Sequence, residues 1–128
     1  MKSNAITIIG QYIKDLSFEN PMAPNLPSPD KNPTVNLDVN TNYLDLKKDN
    51  HEINLKIKST ASINKDTIFV IELQYAGLIK SIVDNEKDKK KLIISGSYLL
   101  FPYARSIISN ISYDTSSKGE KQITSRYY

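Results

Sequence analysis

Apolar and polar residues alternate along the chain up to residue 80. In residues 6–19, Ile6, Ile8, Tyr12, Leu16 and Phe18 fall on one face, and Thr7, Ile9, Gln11, Ile13, Asp15, Ser17 and Glu19 on the other. A period of two predicts a strand with one face on a core, bent near Gly10 or Lys14. Residues 34–41 alternate likewise, with Val35, Leu37 and Val39 on one side, and 43–46 begin another extended run before the turn-like Lys47-Lys48-Asp49-Asn50. Residues 51–63 turn Ile53, Leu55, Ile57, Ala61 and Ile63 inward, and Asn64-Lys65-Asp66 reads as a hairpin turn. Residues 67–79 set Phe69, Ile71, Leu73 and Tyr75 against Ile68, Val70, Glu72, Gln74 and Leu78. Both sides of that strand are substantially apolar, so each is expected to meet something: a helix of this chain on one, a subunit or ligand on the other.

Residues 20–33 hold five of the six prolines. Neither a helix nor an interior strand tolerates that density, which predicts an extended crossing loop. Loops of this length in a small domain tend to be functional.

The pattern then changes. Asp84-Asn85-Glu86 supplies a helix start, with acidic groups at the positive end of the dipole. After a lysine-rich first turn the segment 92–111 is apolar nearly all round. A surface helix carries one apolar stripe. This one is expected to lie between two layers, one from another subunit, with a kink at Pro102. Its length suits a membrane span, but it carries Arg105, Pro102, Gly96, Asn110 and four serines. A central arginine alone costs roughly 2.5–3.5 kcal/mol in a bilayer, so a buried helix is the expectation. Residues 112–128 are polar without a period. They read as a flexible tail on a single domain of residues 1–111.

Composition narrows the chemistry. The absence of cysteine excludes a disulfide framework and a thiolate metal site, and fits a reducing cytoplasm. The net charge of +3 is small for a nucleic-acid reader, and no aromatics interleave with the lysine run. No secretory leader is expected from Met1-Lys2-Ser3-Asn4. His51 opens a strand after a polar turn, reads as a surface histidine, and has no nucleophile motif around it. Gly10, Gly77, Gly96 and Gly119 are too scattered for a phosphate loop, no metal-ligand spacing appears, and no cofactor is expected. Asp15, Glu19 and Glu72 share a sheet face if the first and fourth strands are neighbours. Paired carboxylates can serve a glycosidase, but the spacing alone reads as a solvated acidic patch. The pattern points to binding rather than catalysis.

Three segments resemble the SecB protein-export chaperones. Gln11-Tyr12-Ile13-Lys14-Asp15-Leu16-Ser17-Phe18-Glu19-Asn20-Pro21-Met22-Ala23-Pro24 is similar to that family's opening. Phe69-Val70-Ile71-Glu72-Leu73-Gln74-Tyr75-Ala76-Gly77 is similar to its fourth strand, and Leu100-Phe101-Pro102-Tyr103-Ala104-Arg105 to its helix signature. The resemblance covers about residues 5–110. It implies an α+β fold: a four-stranded antiparallel, Greek-key-like sheet with a long Pro-rich crossover loop and a long C-terminal helix packed on one face. It also implies a cytoplasmic homotetramer, a dimer of dimers, without enzymatic activity and without stable membrane insertion. Such a protein binds unfolded preproteins without ATP, keeps them translocation-competent and delivers them to SecA.

The resemblance assigns residues as well. It implies SecA binding at Asp15, Glu19, Val70 and Glu72, and oligomer contacts at Ile71, Leu73, Tyr75, Leu99 and Tyr103. Client contacts are expected at Tyr12, Phe18, Leu26, Leu78 and Ile79. The chain departs from the family at Lys31, where an aromatic is common. It departs again over 111–128, where a Gly-rich loop, a second helix and an acidic tail are expected and a basic segment stands. Two alternatives stand beside the main reading: a SecB-like chaperone dedicated to one client such as an antitoxin, and a decayed copy kept as a structural or binding protein.

Overall fold

The alternating segments form one antiparallel sheet in the computed structural model, which describes residues 5–25 and 32–117, with side chains to residue 111. The elements are β1 (Thr7–Glu19), β2 (Thr34–Lys47), β3 (Asn50–Ile63), β4 (Asp66–Lys80) and α1 (Glu86–Ser117). The strand order is β1-β4-β3-β2. Three hairpin-linked strands with the first returned beside the fourth make the expected Greek key. The extended runs 34–41 and 43–46 are one strand, because Asn42 stays in register opposite Asn54 and the pairing runs unbroken from Thr34↔Ser62 to Asp45↔His51.

Left-handed residues close both tight turns. Lys47, Lys48 and Asp49 have φ of 74°, 56° and 61°, and Asn64 and Lys65 have φ of 51° and 76°. Two consecutive positive φ values between Ile63 and Asp66, which pair with each other, suit the right-handed twist of the flanking strands.

β1 departs from plain alternation. Its register against β4 shifts between Ile8 and Gly10 and again between Ile13 and Asp15, so Ile9 and Lys14 are extra residues. Each extra residue inverts the faces that follow. Ile8, Gln11, Ile13, Leu16 and Phe18 therefore oppose Ile79, Gly77, Tyr75, Leu73 and Ile71 on the helix side. Gly10, Tyr12, Asp15, Ser17 and Glu19 oppose Leu78, Ala76, Gln74, Glu72 and Val70 on the open side. The bend expected near Gly10 or Lys14 occurs at both. It moves Tyr12 away from the Leu16 and Phe18 face where alternation alone put it.

α1 starts where the acidic cluster predicted. Asn85 Oδ1 accepts from the Asp88 backbone N–H at 2.8 Å, satisfying one of the free donors of the first turn. Leu92, Gly96, Leu100, Ala104, Ile108 and Ile111 form its buried stripe. Two glycines allow the close approach. A Cβ on Gly96 would lie 2.9 Å from Ile79 Cδ1 and 3.0 Å from Ile53 Cγ1, and one on Gly77 would lie 2.8 Å from Leu100 Cδ2. Over Glu86–Ile111 the helix is long and apolar enough to cross a membrane, but this stripe seats it on the core built by Ile53, Leu55, Ile57, Ile71 and Leu73. It continues through Pro102, whose missing N–H leaves the Tyr98 carbonyl without its helical donor. It runs to Ser117, into the segment expected as tail. Residues 118–128, and the loop residues Leu26 and Lys31, lie outside the described residues.

His51 corrects the surface reading: it is 3% exposed. Its Nε2 lies 2.9 Å from the Ser81 carbonyl oxygen and its Nδ1 2.8 Å from the Tyr43 hydroxyl. A carbonyl only accepts, so Nε2 carries a proton, and in the neutral ring Nδ1 accepts from Tyr43. The Ser81 N–H donates to the Asp49 carbonyl at 2.9 Å, which folds the β4–α1 connection over the imidazole.

Two substitutions test these contacts by denaturant unfolding. Gly96→Leu is expected to cost about 1–3 kcal/mol, because the added carbons overpack Ile53 and Ile79. Lys65→Gly is expected to gain about 1 kcal/mol by removing a side chain from the left-handed region.

Candidate functional site

The helix lies mainly across β3 and β4, reaches β2 more weakly, and leaves β1 largely uncovered. Its outer side carries Ile94 (69% exposed), Tyr98 (83%), Leu99 and Tyr103. Val35, Leu37 and Val39 of β2 stay exposed on the helix side of the sheet. Between this flank and α1 runs a groove of about 590 Å³, whose lining includes Val39, Ile93, Ile94, Tyr98 and Phe101. On the opposite flank Ile13 is also exposed. So many exposed apolar side chains on one side of the sheet mark an interaction surface.

The open face of the sheet is different in kind. In register across it stand the rows Ser17–Glu72–Lys58–Asp38 and Asp15–Gln74–Lys56–Asn40. A depression of about 380 Å³ lies among Asp15, Asp38, Lys56, Lys58 and Glu72. Two lysines of β3 thus interrupt the expected acidic patch. The one ion pair among the described residues of this face is elsewhere, between Lys14 and Glu52 at 2.9 Å. Glu52 Oε2 also accepts from the Tyr12 hydroxyl at 2.7 Å. Both β1 side chains cross β4 at Ala76, which is fully buried.

This cluster is electrostatically distinct. Burial pushes the Glu52 carboxyl up, but hydrogen bonds from Tyr12 and Lys14, with the lysine charge, outweigh it and hold the group below its ordinary value. Burial, and then the Glu52 carboxylate, push the Tyr12 phenol up to about 12. On the helix side, burial raises Tyr75, whose hydroxyl donates to Gln11 Oε1 at 2.7 Å, with a smaller contribution from Tyr103.

The residues singled out in the sequence distribute unevenly over these surfaces. Asp15, Glu19, Val70 and Glu72 come together on the open face, on neighbouring strands β1 and β4. Ile71, Leu73 and Tyr75 are buried within this chain on the helix side, and Leu99 and Tyr103 are exposed on α1. Tyr12, Phe18, Leu78 and Ile79 do not form one groove. Tyr12 and Leu78 belong to the open face, while Phe18 stacks on Phe69 at 6.0 Å and Ile79 is fully buried on the helix side. Glu52 was missed, and its signal in the sequence is weak: one carboxylate among the outward positions of β3. Among the described residues no group of His, Cys, Asp and Glu can hold a metal ion.

The SecB family profile, preprotein translocase subunit SecB, matches residues 1–118. The chain belongs to the SecB family. The protein-export protein SecB of Rickettsia akari is 40% identical over 112 residues, 85% of this chain and 74% of the relative. That of Methylocella silvestris is 41% identical over 108 residues, 83% of this chain and 67% of the relative. A SecB-like chaperone of Mycobacterium tuberculosis, solved with a peptide of the HigA1 antitoxin, superposes with a TM-score of 0.73. At 13% identity over 87% of this chain and 84% of that one, it shares the fold. The SecB family is one of protein-export chaperones, which is not an enzyme class.

The Glu52 cluster predicts a pH dependence. A carboxyl held below its ordinary 4.5 stabilises the fold above that pH, and the contribution is lost as pH falls through the depressed value. A phenol raised from 10.0 to about 12 contributes below pH 10.0, and the contribution is lost as pH rises through about 12. Glu52→Gln is expected to cost about 1–3 kcal/mol at neutral pH. In urea titrations from neutral pH down into the acid range, its deficit against the native chain should shrink on acidification.

Proposed function

We propose that this SecB-family protein is an ATP-independent holding chaperone of the cytoplasm. It binds unfolded preproteins, keeps them translocation-competent and passes them to SecA. The observation that carries this reading is the pairing of two unlike surfaces on one sheet. The helix side is apolar and unpartnered, and the open side is charged.

Assembly and client binding divide the helix side. Leu99 and Tyr103 on α1 meet a second copy, while Ile71, Leu73 and Tyr75 act from beneath by seating the helix. The resulting homotetramer, a dimer of dimers, leaves apolar grooves for clients. An unfolded chain gains roughly 25 cal/mol per Å² of apolar area buried there. Weak contacts repeated along a long client add through effective concentration. Phe18 and Leu78, both half-buried, remain client candidates with Leu26; Tyr12 serves Glu52 first, and Ile79 is spent in the core. Asp15, Glu19, Val70 and Glu72 dock SecA. The chaperone domain is assigned to residues 1–111 and the tail to 112–128, with α1 continuing to Ser117. A chaperone dedicated to one antitoxin-like client is the second reading, favoured by the peptide held by the Mycobacterium tuberculosis relative.

Light scattering is expected to give the mass of four 14.5 kDa chains. The tetramer should suppress aggregation of an unfolded protein at stoichiometric amounts. Asp15→Lys with Glu72→Lys is expected to weaken SecA binding about tenfold or more by like-charge contact, leaving aggregation suppression intact. A clean monomer, or unchanged SecA affinity, counts against the respective part of the reading.

A further inference from the structure

We infer that Glu52 is a positioning residue for the charged partner surface, acting through the bulge at Lys14; this rests on the reading that SecA docks on the open face. Tyr12 and Lys14, on either side of Ile13, both reach across β4 to the one carboxylate of Glu52. Glu52 is 9% exposed and offers almost nothing to an incoming protein. Lys14 is the unpaired residue of the second bulge, and Asp15 follows it directly.

The core requires an extra residue in this stretch but does not say where. Gln11 and Ile13 on one side of the bulge, and Leu16 and Phe18 on the other, all belong to the helix side. With plain alternation one of these two pairs would face the open side. An extra residue at either Lys14 or Asp15 satisfies all four. The two placements differ in what they present. With Lys14 extra, Asp15 opposes Gln74 on the open face, one step from Glu72. With Asp15 extra, Lys14 would oppose Gln74 and place a positive charge in the patch. The ion pair and hydrogen bond to Glu52 select the first arrangement, because they hold the Lys14 ammonium over β4 and β3.

Glu52→Gln keeps an acceptor for Tyr12 and removes the charge that holds Lys14. It is expected to weaken SecA binding about threefold to tenfold, with oligomeric mass and aggregation suppression as in the native protein. In a double-mutant cycle, Asp15→Asn should cost less affinity in the Glu52→Gln background than in the native one. A general loss of stability does not produce coupling to that one side chain. Amide exchange at Asp15 should quicken in Glu52→Gln while that at Leu73 stays slow, a readout independent of any partner. If Glu52→Gln binds SecA as the native protein does while Asp15→Asn still weakens it, or if the Asp15 amide is unchanged, Glu52 does not position the surface. If neither Asp15→Lys nor Glu72→Lys affects SecA, the docking reading fails, and the positioning role fails with it.

Discussion

A single helix cannot cover a four-stranded sheet. An α-helix is about 10 Å across with its side chains, and neighbouring strands lie about 4.8 Å apart, so α1 spans two strands. It takes the central pair, β3 and β4, where Gly96 and Gly77 let it approach closely. The apolar residues of β1 and β2 that face the same way are left beside it, and its own outer side is left bare. The two-sided apolar character of α1 follows from this geometry. The inner stripe completes the core of one chain, and the outer residues need something beyond it.

The other side of the sheet obeys a different rule. Among the described residues no element covers it, and most of its side chains are polar, with Leu44 of β2 left exposed opposite Glu52. Acidic groups of β1 and β4 stand beside the lysines of β3, with Asp38 of β2 beyond them, and one carboxylate, Glu52, is drawn in and paired. A buried carboxylate needs partners, and it finds both on the edge strand. The same contacts that satisfy Glu52 tie a bulged edge strand to the middle of the sheet. The polar cluster and the irregular register of β1 are one feature.

Much of this was legible in the residues. The strand-forming segments and the Asn85 start of α1 follow from pattern, although β2 read as two runs; the four-stranded Greek key was implied by the motifs that resemble the family. The ends of β1 were also assigned to their faces, because Ile9 and Lys14 are both extra and two inversions cancel. The middle was not: Tyr12 changed sides, since alternation carries no mark of an extra residue unless a glycine or a break accompanies it. His51 was misread for a related reason. Its neighbours are polar in sequence, and its burial comes from Tyr43 and from Ser81, 30 residues away along the chain.

Sequence by itself determined which segments are strands, which is the helix, and which side chains seek a core, because each depends on neighbours two to four positions away. Tertiary structure alone decided that both candidate bends of β1 are bulges, which face Tyr12 takes, and that Glu52 gathers Tyr12 and Lys14. Those outcomes rest on partners 38 and 40 residues distant, which meet only when β1 is laid beside β4.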